Sequence, residues 1–196
     1  MWRNLFRNNN VRTLNQAMAS GKVRYVVNLS ETLHDHRYAE IANEIAARPG
    51  VKLVLIAGPS SSGKTTSSKR LALHMRVNGL NPIIISLDDY FRNRVDTPRD
   101  KNGEYDFECL EALDVPFLNL QLEQLLAGER VEIPKYDFTS GTRRFEGQFL
   151  QLTDNDVLIM EGIHGLNPAL TPQIPREEKF CLYVSVLTPL FIRWEE

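Results

Sequence analysis

One stretch of this chain constrains its folding more than any other: Gly58-Pro59-Ser60-Ser61-Ser62-Gly63-Lys64-Thr65, which fits G-x-x-x-x-G-K-[ST] at every fixed position. Its flanks narrow the choice further. Val51–Ala57 is an almost unbroken run of aliphatic residues, as expected of a strand buried on both faces. Lys64–Asn78 carries a helix pattern with Leu71, Leu73 and Met75 among its apolar positions, and Gly79 supplies a stop. A buried strand that turns through glycines into a helix gathers backbone N–H groups into an anion-binding nest, and the positive end of the helix dipole adds to it. Gly58 and Gly63 allow backbone angles and close approach that a Cβ would block. The segment Ser60, Ser61, Ser62, Gly63, Lys64, Thr65 and Thr66 is therefore expected to hold the phosphates of ATP. Lys64 would set a point charge against the β- and γ-phosphates, and the Thr65 hydroxyl would ligate Mg²⁺.

The rest of the chain repeats the alternation. Pro82–Leu87, Val157–Met160 and Phe180–Val186 read as further buried strands, and Asp114–Ala127 as a helix with Leu118, Leu122, Leu125 and Leu126 on one face. Strand and helix in turn predict an α/β fold, a three-layer P-loop NTPase-type parallel sheet with helices on both faces. That domain is expected over residues 50–196. Residues 1–49 form an N-terminal extension, with a short helix within residues 1–20, a strand at Val23–Leu29, a helix at Tyr38–Ala47 and a break at Pro49-Gly50.

Composition narrows the surroundings. A formal net charge of −2 gives no global positive field for nucleic acid or a membrane surface, and no apolar run approaches the ~20 residues of a bilayer span. Cys109 and Cys181 lack metal-ligand spacing and fit two free thiols in a reduced, cytoplasmic setting. Residues 1–30 hold Arg3, Arg7, Arg12, Lys22 and Arg24 without an acid, a trait of transit peptides, but Asn8–Asn10 and the few serines weigh toward a solvated lead-in segment.

In open parallel sheets, ligands sit at the carboxyl ends of strands. Asp88-Asp89-Tyr90-Phe91 follows the second strand, and Glu161-Gly162 follows Val157–Met160. A phosphoryl transfer to a hydroxyl needs a carboxylate to accept its proton and oxygen ligands for Mg²⁺. Asp88 is the candidate base, with contact to the metal through water, and Glu161 the candidate metal-side carboxylate. An ordinary turn pair and a solvated strand-end acid are the alternative readings.

Four blocks in order carry a resemblance: Gly58–Thr66, Ser86-Leu87-Asp88-Asp89-Tyr90-Phe91, Pro134-Lys135-Tyr136-Asp137-Phe138 and Glu161-Gly162-Ile163-His164. Together they resemble the uridine kinase and phosphoribulokinase family over about residues 50–187. Tyr105-Asp106-Phe107-Glu108 with Ala112-Leu113-Asp114 looks like the family's acceptor-side segment. The resemblance implies transfer of the ATP γ-phosphoryl to the 5′-hydroxyl of a small-molecule nucleoside, uridine or cytidine. It implies Asp88 and Lys64 as catalytic, Thr65, Glu161 and Asp88 at Mg²⁺, and Phe91, Tyr136 and Arg143 at the substrate. Read without the motif, Phe91 and Tyr136 are core aromatics and Arg143-Arg144 a solvated pair. Residues 21–49 look like the segment before the kinase module of longer bacterial relatives.

Two departures shape the expectations. The family's base-contacting histidine falls here near Gly141. The family's arginine-rich lid and the part that follows it would lie beyond Phe191-Ile192-Arg193-Trp194-Glu195-Glu196, so the chain reads as truncated. The expectation is a chain that binds ATP, turns over uridine slowly, and self-associates as a homo-oligomer through an exposed sheet edge. A kinase for another hydroxyl acceptor, such as a sugar phosphate or pantothenate, and a nucleotide-binding module without catalysis are the rival readings.

Overall fold

The computed structural model describes residues 11–185. Its centre is a parallel sheet of β1 (Leu53–Ala57), β2 (Asn81–Ser86), β5 (Asp156–Glu161) and β6 (Lys179–Tyr183), in the order β2-β5-β1-β6. All three pairings are parallel. The two middle strands are buried at every position, which is why they read as unbroken apolar runs.

Period-two alternation divides those strands between two cores. Leu53 and Leu55 of β1 with Leu158 and Met160 of β5 face one side, where they meet Leu118, Leu122 and Leu125 of the helix Val115–Leu126. Val54, Ile56, Val157 and Ile159 face the other, against Leu71, Ala72 and Met75 of the helix Lys64–Val77. Helices on both faces of a parallel sheet make the expected three layers.

Four helices are described, α1 (Val11–Ala19), α2 (Val23–Ala46), α3 (Lys64–Val77) and α4 (Val115–Leu126). The strand expected at Val23–Leu29 is instead the first turns of α2. The helix propagates outward from an anchor near its C-terminus, where Ile41, Ala42 and Ile45 join the core beside α3. Among the described residues no strand pairs with this segment, and Val23, Tyr25 and Val27 remain exposed on a helix. The last strand runs Lys179–Tyr183. Val186, at the end of its expected range, and Arg193 lie outside the described residues, as do Arg3 and Arg7.

The sequence reading contained no element between α4 and β5. The structure has an antiparallel hairpin there, β3 (Val131–Asp137) and β4 (Thr142–Leu150), packed through β3 on the turn Leu87–Tyr90 that follows β2. It brings Tyr136 and Arg143 directly opposite each other.

A candidate phosphoryl-transfer site at the carboxyl edge of the sheet

Strand order sets the site. Because β5 lies between β1 and β2, Glu161 is in register with Ile56 on one side and with Ser86 on the other. The loop leaving β1, the acid ending β5 and the turn leaving β2 therefore follow one another along one edge.

The loop fits an oxyanion. A Cβ on Gly58 would run into the Val184 carbonyl oxygen and come within 2.7 Å of Ser62 Oγ. Ser61 and Gly63 both hold positive φ, 59° and 88°, which turns successive N–H groups toward one concavity. The first intrahelical bond of α3 runs from the Ser67 N–H to the Gly63 carbonyl, so the N–H groups of Lys64, Thr65 and Thr66 precede it. Lys64 Nζ donates to the carbonyls of Gly58 (3.0 Å) and Pro59 (2.9 Å), folded back over the loop. Ser62 is buried and its hydroxyl has no partner. A loop with a folded-back cation and a buried orphan hydroxyl has the donors that phosphate oxygens require.

The acids divide into distinct environments. Thr65 Oγ1 donates to Glu161 Oε1 at 2.6 Å across the sheet edge, and Glu161 is buried. This pair offers one hydroxyl and one carboxylate oxygen. Among the described residues no group of three or more His, Cys, Asp or Glu side chains could hold a metal. A Mg²⁺ ion bound at Thr65 and Glu161 would thus take its remaining ligands from water and phosphate, the habit of that ion. Asp88 N–H bonds to Ser86 Oγ at 3.3 Å. Asp88 is exposed at the surface, and its carboxyl stands above its ordinary value, first by partial desolvation, then by the Glu161 carboxylate, while Lys64 pulls it down. Asp89 turns the other way: it is buried, and accepts from Lys135 Nζ at 3.0 Å and from the Tyr136 N–H at 3.2 Å. Of the Asp-Asp pair, one fastens the hairpin and the other stands at the site.

Beyond Asp88 lies an aromatic cluster. The Phe91 ring meets Phe107, Tyr136 and Phe138 at centroid distances of 5.7, 5.6 and 6.3 Å, all edge-on. Phe91 and Tyr136 are themselves buried in the core, while Phe138 is exposed. Arg143 is not a solvated residue. Its Nη2 donates to Asp114 Oδ2 at 2.9 Å, and its guanidinium lies 4.4 Å from the Phe117 ring centre. Asp114 also caps α4 by accepting from the Phe117 N–H. Sequence reasoning placed Asp114 only within an acceptor-side segment, without an individual role, and assigned no part to Arg94. Arg94 Nη2 donates to the Phe138 carbonyl at 2.6 Å, a contact made possible only by the fold.

The chain matches the sequence profile described as "Phosphoribulokinase / Uridine kinase family" over residues 53–184. It is 35% identical to the uridine kinase of Lactobacillus helveticus (strain DPC 4571) over 115 residues, which is 57% of this chain and 51% of that protein. It is 32% identical to the uridine kinase of Deinococcus deserti over 111 residues, 57% of this chain and 52% of that one. A solved structure described as a possible uridine kinase from Bacillus stearothermophilus superposes with a TM-score of 0.53 at 28% identity, covering 68% of this chain and 70% of that one. The chain spans about half the length of these curated relatives.

Proposed function

The chain belongs to the phosphoribulokinase/uridine kinase family, and we propose that it is an ATP-dependent phosphotransferase with a hydroxyl group as acceptor. The observation that carries this reading is the contact of Thr65 Oγ1 with Glu161 Oε1 at the mouth of the phosphate loop, with Asp88 at the neighbouring strand end. Gly58 and the segment Ser60–Thr66 would hold the triphosphate. Lys64 would exchange the two loop carbonyls it now holds for β- and γ-phosphate oxygens. Thr65 and Glu161 would hold Mg²⁺, with Asp88 close by. When bound, that ion supplies charge neutralisation at the phosphate oxygens. Asp88 would accept the proton of the attacking hydroxyl; its raised value brings it nearer the working pH of a general base.

The names of the curated relatives make the 5′-hydroxyl of uridine or cytidine the first acceptor to test, with Phe91, Tyr136 and Arg143 lining its pocket. A second acceptor class, hydroxyl compounds that carry an anion such as a sugar phosphate or pantothenate, is favoured by the Tyr136 hydroxyl and Arg143 Nη1, both buried without a hydrogen-bond partner. The test measures ADP release with Mg²⁺–ATP over a panel of nucleosides, sugar phosphates and hydroxy acids, with Lys64→Ala and Asp88→Asn as controls. Acceptor-dependent release abolished by both substitutions is expected. ATP binding without turnover on any acceptor would instead identify a non-catalytic nucleotide-binding module. No described helix is long and apolar enough to cross a membrane.

A further inference from the structure

The turn that carries Asp88 is held from three sides. Leu87 is buried and seated against the end of β5, where a Cβ on Gly162 would come within 2.7 Å of Leu87 Cβ and 2.8 Å of its Cδ1. The turn therefore lies directly beside the strand end that delivers Glu161. Tyr90 faces α4. It is 1% exposed, its hydroxyl donates to Gln121 Oε1 at 2.9 Å, and its carbonyl accepts from the Asp114 N–H at 2.9 Å. Asp89 faces the hairpin, where it accepts from Lys135 Nζ and from the Tyr136 N–H.

The links made by Tyr90 and Asp89 end on the same strand. Gln121 passes the Tyr90 contact on, because its Nε2 donates to the Glu132 carbonyl at 2.8 Å. Glu132 and Tyr136 stand near opposite ends of β3, about 13 Å apart at the ordinary rise of a strand. One tether would fix a distance. Two tethers so far apart also fix the angle between turn and strand. The residue at position 121 supports this reading. Gln121 is 5% exposed on a helix whose Leu118, Leu122 and Leu125 form the core, a place where an apolar side chain would pack without needing partners. A glutamine there, with both ends of its amide bonded, specifies one arrangement, since any other leaves a buried polar group unmatched.

We propose that Asp89 and Gln121 are positioning residues for phosphoryl transfer, joining the turn that carries Asp88 to the strand that carries Tyr136 so that base and acceptor side form one rigid unit. Neither residue touches the reacting groups. Their effect is on alignment: a hydroxyl bound against the hairpin meets Asp88 at a preset distance, and a misplacement of about 1 Å can cost about 10²-fold in rate. The inference rests on the hydroxyl-acceptor kinase reading and names two residues through which that site is aligned.

The experiment measures kcat and KM at saturating Mg²⁺–ATP, with the acceptor that the panel above selects, in the full chain and in Asp89→Asn, Gln121→Leu and the double variant. ATP affinity is read by calorimetry. Every assay runs well below the melting midpoint of the variant concerned, so that an unfolded fraction does not count as a loss of rate. Each single substitution is expected to lower kcat by about 10–100-fold, with ATP affinity near that of the unaltered chain. The double variant should lose less than the product of the two single losses, because both act on one turn. Should either variant fail to fold, Lys135→Met and Tyr90→Phe, which each remove one contact of the same two tethers, carry the test with the same expected fall in kcat at retained ATP affinity. Unaltered kcat in a folded variant removes that residue from the role. A loss confined to melting temperature or to ATP affinity overturns the inference as well. Absence of turnover in the unaltered chain on every acceptor strikes the kinase reading itself, and is seen before any variant is made.

Discussion

Asp88 and Asp89 are neighbours in sequence, yet their carboxylates meet different surroundings. Asp89 is tied to Lys135 and to the Tyr136 backbone, so its removal should disturb the hairpin. Asp88 accepts no hydrogen bond on its carboxylate from any described residue, and its proton affinity is raised by desolvation and by Glu161. A group whose folded value stands above its unfolded one contributes stability fully below the unfolded value and loses it as pH rises through the folded one. The ionised Asp88 is therefore a cost at neutral pH, a small one because the residue is exposed and screened by solvent. Asp88→Asn is expected to raise the melting temperature at pH 7 slightly, with the gain fading as pH falls into the ordinary aspartate range. The same substitution should lower phosphoryl transfer by about 10²–10⁴-fold with ATP affinity near that of the wild type, if Asp88 is the base. A variant that gains stability and keeps its turnover would leave Asp88 as a turn residue. Lys64 offers a contrasting case. Its amine meets only two loop carbonyls, so Lys64→Ala should barely move the melting curve. Calorimetry should show ATP affinity reduced by about 10-fold or more, the size of a charge-assisted contact. Unchanged affinity would remove the loop from the nucleotide site.

At the scale of elements, the hairpin β3–β4 carries Tyr136 and Arg143, and its turn geometry is testable. Gly141 and Gly147 both hold positive φ, at +68° and +75°, but only Gly141 has a side chain packed where its Cβ would be. A left-handed conformation costs a non-glycine residue about 1–2 kcal/mol. Gly147→Ala should cost about that much, while Gly141→Ala should cost more, because Arg94 must also be displaced. Equal losses in denaturant titrations would show that Arg94 moves aside freely. This hairpin is also where the sequence was least legible. The strands of the main sheet announce themselves because burial on both faces leaves uninterrupted apolar runs, and Leu53–Ala57 and Asp156–Glu161 were found within a few residues of their bounds. In β3 the alternation is interrupted by Pro134, and in β4 most positions are exposed, so neither carries a core-facing pattern. The first half of α2 misled for the opposite reason. Val23, Tyr25 and Val27 alternate like a strand without a sheet to join. In the site, the loop residues and the strand-end acids were readable because their positions follow from local sequence and strand order. Arg94 was not, since its place depends on a tertiary approach to Gly141 that no spacing encodes.

For the whole molecule, the question is where the folding unit begins. Composition and the Pro49-Gly50 break set residues 1–49 apart as an extension, and the family match starts at residue 53. The packing distributes that extension unequally. Helix α1 has no buried residue. The C-terminal part of α2, by contrast, places Ile41, Ala42 and Ile45 at 6%, 0% and 2% exposure against β1, β5 and α3. Tyr38 adds a 2.9 Å hydrogen bond to Ser67, in the first turn of the helix that carries the phosphate loop. Burying a large aliphatic side chain contributes about 1.5–3 kcal/mol, so the two isoleucines alone contribute about 3–6 kcal/mol as an upper estimate. A domain of ordinary size is stable by only about 5–15 kcal/mol. Removing residues 1–49 should therefore uncover the part of that sheet face not covered by α3 and leave a chain that has lost a large share of its stability. Its near-ultraviolet circular dichroism and cooperative melting should be weak or absent. Removing residues 1–22 alone, which takes away α1 and spares α2, should leave the melting temperature within a few degrees of the full chain. If the chain starting at residue 50 melts cooperatively at the temperature of the intact protein, α2 is an appendage, and the contacts of Ile41, Ala42 and Ile45 contribute little to holding the nucleotide-binding face together.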